Sequence, residues 1–181
     1  ISTYVRNSFG NKGGPITKEF VTGIRKGSGD RLLPWTESEL EELEPPIIAN
    51  RNKWKLTASH GSEKLGGCVD GNGKSRYDTG ASQVPGMWVQ VELPTVSKVN
   101  RIQLDSKNST RDYPRGYQVE SSVDGKKWSE PLAIGLGKHP VTDISFPTTE
   151  AKYLKITQTG RVSGLYWSIH EMQIFGKPVP R

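Results

Sequence analysis

The chain has 181 residues, of which 33% are hydrophobic, with 20 glycines, 12 prolines and a formal net charge of +6. This length suits one domain with an appendage, and the glycine and proline content favours short strands and turns over long helices. Lysine and arginine are scattered with no run of five, so the charge favours anionic partners only weakly and predicts no nucleic-acid partner. No apolar stretch approaches 18 residues, so we expect no membrane insertion.

Residues 1–47 differ in character from the rest of the chain and are predicted to form a helical N-terminal extension or linker. Short helices are expected over 17–26 and 37–43, and Pro45 and Pro46 then end the second helix because proline lacks a backbone donor. Such short helices bury too little surface to be stable alone. The domain proper is therefore expected to span residues 48–181.

From Trp54 onward the hydrophobic pattern has a period of two. Val89, Val91 and Leu93 alternate with polar residues, and similar alternation recurs to the end of the chain. Strands of five to seven residues separated by turn-rich loops are typical of an antiparallel sandwich with one face of each sheet buried. Further alternating positions are Ile102, Leu104, Tyr117, Val119, Ile144, Phe146, Leu154, Ile156, Met172 and Ile174.

Nothing in the sequence indicates an enzyme. The single cysteine, Cys68, excludes a disulfide within the chain and a paired-cysteine zinc motif. His60, His139 and His170 lack a recognisable partner nucleophile, and no G-x-S-x-G, H-E-x-x-H or phosphate-loop motif is present. We therefore predict a non-catalytic protein.

Seven short segments follow one another in a distinctive order: Val69–Asn72, Ser75–Tyr77, Trp88–Leu93, Tyr117–Val119, Ser122–Trp128, Tyr153–Ile156 and Ser168–Met172. Together they make residues 54–176 similar to the discoidin domain, also called the coagulation factor 5/8 type C domain, whose bacterial branch includes the family 32 carbohydrate-binding modules. That family implies an all-β, eight-stranded antiparallel jelly-roll β-sandwich. Tyr77 stands where the family usually has tryptophan.

The first 44 residues contain a second set of distinctive positions: Tyr4–Asn11, Pro15–Thr17, Val21, Arg25 and Pro34–Leu40. This set resembles the C-terminal helix and tail of bacterial cytochrome c domains. The haem attachment motif C-x-x-C-H is absent, so no haem is expected in this chain. Because the chain opens on Ile1 without methionine, we expect either a processed protein or a piece of a longer one, with an upstream cytochrome c domain as a candidate partner. A generic helical linker is the alternative.

The family resemblance implies a cation site joining an early turn to the last strand. Calcium takes six to eight oxygen ligands, and the oxygen-bearing side chains at these positions suit Ca²⁺ or Na⁺ better than zinc. The cation would be structural, because it would close a loop of about 100 residues. The implied ligands are the side chains of Asp70, Asn72, Ser75 and Glu171, with backbone carbonyls near Gly67 and His170.

A sugar site requires an aromatic face and a few fixed polar groups, which loops at one end of a sandwich supply. The long polar loop 105–115 offers a planar donor, an acceptor and a ring. Alternatives stand beside these assignments: Trp167 as buried packing, Arg111 and Asp112 as partners of each other, and His60 as a turn residue. The candidate ligand-binding residues are Arg111, Asp112, Tyr113, His60, Asp78 and Trp167.

Three non-catalytic functions follow from these features. The first is a carbohydrate-binding module that holds a larger periplasmic or extracellular bacterial protein near a glycan or polysaccharide. The second is a discoidin domain that binds a protein or an anionic surface, for which only Val84–Met87 offers an apolar loop tip. The third is a structural domain appended to a cytochrome.

Overall fold

A computed structural model of the chain describes Thr36 and residues 44–180. The chain divides into two compact units, Ile1–Glu39 and Leu40–Arg181, and all described residues except Thr36 belong to the second. The helices predicted over 17–26 and 37–43 lie outside the described residues. In the part that is described, no helix is long and apolar enough to cross a membrane.

The second unit is built from short 3-10 helices and antiparallel strands. The helices span Arg51–Lys53 and Ser62–Cys68. Every strand pair within residues 44–180 is antiparallel, which confirms the predicted eight-stranded all-β fold. The strands are β1 (Lys55–Ala58), β2 (Tyr77–Asp78), β3 (Trp88–Asp105), β4 (Tyr117–Ser122), β5 (Ala133–Gly135), β6 (Val141–Gln158), β7 (Ser168–Ile169) and β8 (Glu171–Pro178).

Strands β3 and β6 form a long ribbon that serves both layers of the sandwich. The strand order is β1-β3-β6-β4-β5, with β8 also paired to β3, and β2 and β7 form a separate pair. The first half of β3 lies between β1 and β6, whereas its second half, from Ser97 to Asp105, lies between β6 and β8. One ribbon therefore supplies central strands to both layers.

The length of these strands corrects the sequence prediction of five to seven residues, since β3 and β6 have 18 residues each. Each strand contains a proline, Pro94 or Pro147, inside a register shift of the β3–β6 pairing. Proline cannot donate to the ladder and is tolerated at bulges, where strands bend. The turn signals thus mark bends within two strands rather than the ends of four.

The core lies between the layers and follows the predicted alternation. Val89 and Val91 come from the first half of β3, and Ile102, Ile144 and Ile174 come from the other layer; all are fully buried. Burying an aliphatic side chain of this size contributes roughly 1.5–3 kcal/mol. The period-two pattern therefore stabilises one continuous core.

The short β2–β7 pair anchors one end of the sandwich. Tyr77 pairs with Ile169 and Asp78 with Ser168. Tyr77 and Trp167 are both fully buried and pack edge to face, with ring centroids 6.4 Å apart. We call the β2–β7 pair and the segments 59–76, 79–87, 106–116 and 159–167 the loop end.

Candidate functional site

Gln83 organises the loop end. Its side chain is fully buried, and its Nε2 donates hydrogen bonds to the carbonyl oxygens of Tyr113 (3.1 Å) and Tyr166 (2.7 Å). Its Oε1 accepts from the backbone N–H of Arg115 (3.1 Å) and from the side chain of Gln158. Three segments of the loop end are thus joined through one amide. The sequence analysis missed Gln83, because nothing local marks a glutamine whose burial depends on distant loops.

Asp78, a predicted ligand contact, holds two cations at the surface. Its carboxylate accepts from Lys64 Nζ at 2.8 Å and lies 3.5 Å from Arg76 Nε. Burial favours the protonated form, but the hydrogen bond and charge of Lys64 outweigh it, so the pKa of the Asp78 carboxyl lies below its ordinary value. The carboxylate is nearly buried, whereas the Lys64 and Arg76 side chains are 42% and 39% exposed. The cations, rather than Asp78, are presented to solvent.

The predicted loop residues Arg111, Asp112 and Tyr113 belong to a segment that contacts the β2–β7 pair. Ser168 Oγ donates to Asp112 Oδ2 (3.2 Å), and the Ser168 N–H donates to the Asp112 carbonyl (2.8 Å). Within residues 44–180, Asp112 is therefore paired with Ser168 and not with Arg111, which is exposed. The half-buried Tyr113 ring carries the Arg115 guanidinium at 4.0 Å from its centroid. One face of Tyr113 is covered.

Trp167 requires a correction. It was a candidate ligand contact, but it is fully buried, so neither ring face is available for stacking. The preceding residue, Tyr166, is 41% exposed and is the aromatic side chain this loop presents to solvent. The opposite orientations of Tyr166 and Trp167 follow from strand alternation, because neighbouring residues that enter β7 point to opposite sides. The sequence alone did not fix which of the two faced inward.

His60 precedes Gly61, whose backbone lies close to the backbone of Asp78. The sequence left His60 open as either a ligand contact or a turn residue. It is exposed, its Nδ1 is 3.0 Å from Ser59 Oγ, and its carbonyl accepts from the Tyr77 hydroxyl at 2.9 Å. Gly61 has φ 61°, and a Cβ there would lie 2.2 Å from the Asp78 carbonyl oxygen. Only glycine permits this approach, so His60 is held at the rim of the loop end.

The segment 70–75, which we call the cation loop, is held together by hydrogen bonds to its own oxygen atoms. Asp70 Oδ1 accepts from the Asn72 N–H (2.8 Å), and Oδ2 accepts from Ser75 Oγ (2.6 Å). The Ser75 hydrogen bond is the main reason that the pKa of the Asp70 carboxyl is lowered. Asn72 Oδ1 accepts from the Lys74 N–H (3.2 Å). Gly67 packs so closely that a Cβ would lie 2.9 Å from the Arg76 backbone nitrogen.

Glu171, the distant carboxylate of the predicted site, is separated from the cation loop by the Arg51 side chain. Arg51 Nη1 donates to Glu171 Oε2 and to the Met172 carbonyl (3.2 Å). The other nitrogen, Arg51 Nη2, lies 3.6 Å from where a Cβ on Gly71 would stand. The Arg51 guanidinium therefore lies between the cation loop and Glu171.

The donor set fits a hard cation in one respect and competes with Arg51 in another. Glu171 Oε1 is buried and has no hydrogen-bond partner within residues 44–180, which leaves one oxygen for a cation. The same described region holds no group of three or more His, Cys, Asp or Glu side chains suited to a metal. Binding would thus need the oxygens of Asn72, Ser75 and the backbone, which calcium accepts and zinc does not favour.

His170 links the cation loop to segment 106–116. Its ring is nearly buried, with Nδ1 3.0 Å from the Gly73 carbonyl oxygen and Nε2 2.9 Å from Ser109 Oγ. Arg76 Nη1 donates to the same Ser109 oxygen at 2.7 Å. The sequence suggested only the His170 carbonyl as a ligand. In the structure, the His170 ring contacts Gly73 of the cation loop on one side and Ser109 on the other.

The sequence matches the F5/8 type C domain family over residues 46–172. The chain therefore belongs to the F5/8 type C (discoidin) domain family, as its motifs predicted. Comparison with curated proteins finds no match for the chain.

Solved structures share the fold. CBM32-3 from a family 31 glycoside hydrolase of Clostridium perfringens is 18% identical, with a TM-score of 0.63 over 79% of this chain and 100% of its own. Chitosan-binding module 1 from a chitosanase/glucanase of Paenibacillus sp. IK-5 is 26% identical, with a TM-score of 0.56 over 67% of this chain and 94% of its own. The family 32 module of C. perfringens NanJ, in complex with galactose, is 20% identical, with a TM-score of 0.59 over 69% of this chain and 95% of its own.

Proposed function

We propose that this chain is a non-catalytic carbohydrate-binding module that binds a saccharide at the loop end. The observation that carries the proposal is that the buried Gln83 joins the backbone of exposed Tyr166 to the loop that carries Arg111, Ser168-bound Asp112 and Tyr113. Aromatic faces bind the apolar side of a sugar ring, and fixed polar groups bind its hydroxyls. The similarity to the chitosan-binding module and to the galactose complex supports this proposal.

A membrane-binding role is not favoured by the loop tip that sequence analysis singled out. Met87, the largest apolar residue of Val84–Met87, is 2% exposed and belongs to the core. Met87 is therefore not available for insertion into a bilayer. The module would instead serve a larger secreted or periplasmic bacterial protein, with a cytochrome c domain upstream as one candidate neighbour.

A structural Ca²⁺ ion is the second part of the proposal. Asp70, Asn72, Ser75 and Glu171 would supply side-chain oxygens, and carbonyls near Gly67 and His170 would complete the shell. The unpartnered Glu171 Oε1 supports it. The ion would fasten the cation loop to the last strand, and it would have to displace Arg51 from Glu171.

Saccharide binding is tested by retention of the purified chain on polysaccharide affinity gels and by a glycan array in the presence of calcium. The variants Tyr166→Ala and Arg111→Ala should lose retention while keeping their melting temperatures. Tyr153→Ala is the matched control, since Tyr153 is half-buried beside the Gly125 turn, away from the loop end. Equal retention of all three variants would place the site elsewhere, and failure to bind any glycan would reject the proposal.

A further inference from the structure

Three arginines lie together on one side of the loop end. We call Arg111, Arg115 and Arg161 the basic rim. Arg111 and Arg161 are exposed, and Arg115 donates a hydrogen bond to the Arg111 carbonyl. Arg161 is brought to the others by Gly160, at which a Cβ would lie 2.5 Å from the Arg115 Cβ. Only glycine fits at that point, so the fold fixes the segment carrying Arg161 against the segment carrying Arg115.

The basic rim is not neutralised by acidic partners. Within residues 44–180, none of its arginines forms an ion pair with an acidic side chain. The nearest carboxylate in sequence, Asp112, accepts a hydrogen bond from Ser168 instead. Nearby, Lys64 and Arg76 share the single carboxylate of Asp78. The loop end therefore carries an excess of positive charge on groups that reach solvent.

These cations lie next to the aromatic groups of the proposed sugar site. Gln83 fixes the backbone of Tyr113 and Tyr166, and its Oε1 fixes that of Arg115. One amide thus positions the backbone of both aromatic residues and of Arg115. Guanidinium groups present planar, paired donors that match carboxylate and sulfate oxygens, whereas neutral hydroxyls need no such charge.

We propose that the ligand of the loop end is a negatively charged saccharide, bearing carboxylate or sulfate groups that the basic rim binds. This inference rests on the proposed carbohydrate-binding function and names the class of its ligand. Tyr166 supplies the ring contact, and Arg111 and Arg161 supply the charge-assisted hydrogen bonds.

The test compares charged polymers with neutral polymers of matched backbone, by affinity electrophoresis and calorimetry on the full chain. Polygalacturonate against its carboxyl-reduced form examines the carboxylate, and dextran sulfate against dextran examines the sulfate. We expect at least one charged member to bind about tenfold more tightly than its neutral match. Equal affinity for the members of both pairs would overturn the inference.

A pair of double variants separates a built site from general attraction to a basic protein. Arg111→Gln with Arg161→Gln removes two charges from the rim, and Lys126→Gln with Lys127→Gln removes two from the exposed β4–β5 turn at the other end. Each takes the net charge from +6 to +4. The rim variant should lose about tenfold in affinity, while the turn variant should change less than twofold.

Each outcome separates this inference from the proposed function. Equal losses in both double variants would show bulk charge attraction and overturn the inference. Binding of neutral polymers without preference would overturn it but leave carbohydrate binding intact. Failure to bind any polymer, charged or neutral, would reject both. Far-UV circular dichroism and melting temperatures confirm that the double variants are folded.

Discussion

Arg51 and Glu171 are joined by a hydrogen bond and ion pair across 120 positions of sequence. Arg51 belongs to the first 3-10 helix, and Glu171 is the first residue of β8. Their side chains are 22% and 10% exposed, so the pair is shielded from much of the solvent. The guanidinium thus connects the beginning of the sandwich to its last strand, at the place where the family resemblance implied a cation.

Removing Arg51 should destabilise the domain. In Arg51→Ala, Glu171 Oε2 loses its partner, and the nearly buried carboxylate is left unpaired, which costs about 2 kcal/mol in the free energy of unfolding. Urea denaturation followed by tryptophan fluorescence measures this loss in the presence of EDTA. Arg101→Ala is the control, because the Arg101–Asp143 pair is more exposed and should contribute under about 1 kcal/mol. A smaller loss of stability in Arg51→Ala than in Arg101→Ala would contradict a stabilising role for the Arg51–Glu171 pair.

Calcium and the Arg51 guanidinium should compete for Glu171. In Arg51→Ala, a cation no longer displaces a like charge, so calcium affinity should rise and added calcium should restore part of the lost stability. Calorimetric titration of both proteins, with Asp70→Ala as the variant that lacks a ligand, measures the effect. Calcium that raises the melting temperature of neither protein would reject the cation proposal.

Gln83→Leu should loosen the loop end. The substitution keeps a similar volume but leaves the Tyr113 and Tyr166 carbonyls and the Arg115 N–H without their partner. Each buried unsatisfied group costs about 1–3 kcal/mol, so we expect a loss of at least 2 kcal/mol in stability. Hydrogen exchange should speed up in segments 111–116 and 161–167. Gln103→Leu, at a half-buried position of β3 between β6 and β8, should leave exchange in these segments unchanged.

Adjacent aromatic residues should have opposite roles. Trp167→Ala creates a cavity in the core and should cost about 3–5 kcal/mol. Tyr166→Ala removes an exposed ring and should change stability by less than about 0.5 kcal/mol while weakening saccharide retention. Thermal melts and affinity gels run on both variants distinguish the two residues. A stable Trp167 variant that no longer binds would reverse the assignment.

Cys68 should make the domain less stable at alkaline pH. Burial raises the pKa of its thiol from an ordinary 9.0 to about 12. The unfolded chain therefore loses this proton near pH 9 while the native protein keeps it. Its contribution is complete below pH 9 and falls by about 1.4 kcal/mol per pH unit as the pH rises toward 12.

The variant Cys68→Ala isolates this effect from other groups that titrate at high pH. Burial also raises the pKa of Tyr77, but Tyr77 is present in both proteins. Denaturation curves at pH 8, 9.5 and 10.5 should show a smaller loss in the variant than in the unmodified chain. Parallel losses would mean that the thiol is not protected by burial.

The local pattern of hydrophobic residues was sufficient to predict which strand faces are buried, although not the length of β3 and β6. Period-two alternation at Val89 and Val91 depends only on which face meets the core, and the observed burial follows it. The hydrogen bonds from Ser75 and Asn72 to Asp70 are local too, since both join residues at most five apart, but the sequence analysis assigned these side chains to a cation and did not predict the bonds. The family resemblance rests on these local features.

Other features were decided by residues far apart in the chain. Gln83 contacts Tyr166 across 83 positions, Arg51 reaches Glu171 across 120, and Trp167 rather than Tyr166 faces inward because of how β7 meets Tyr77. The sequence encodes local preference through spacing, turns and periodicity. Which polar groups are buried, paired or exposed depends on how separate segments meet, and only the packed fold determines that.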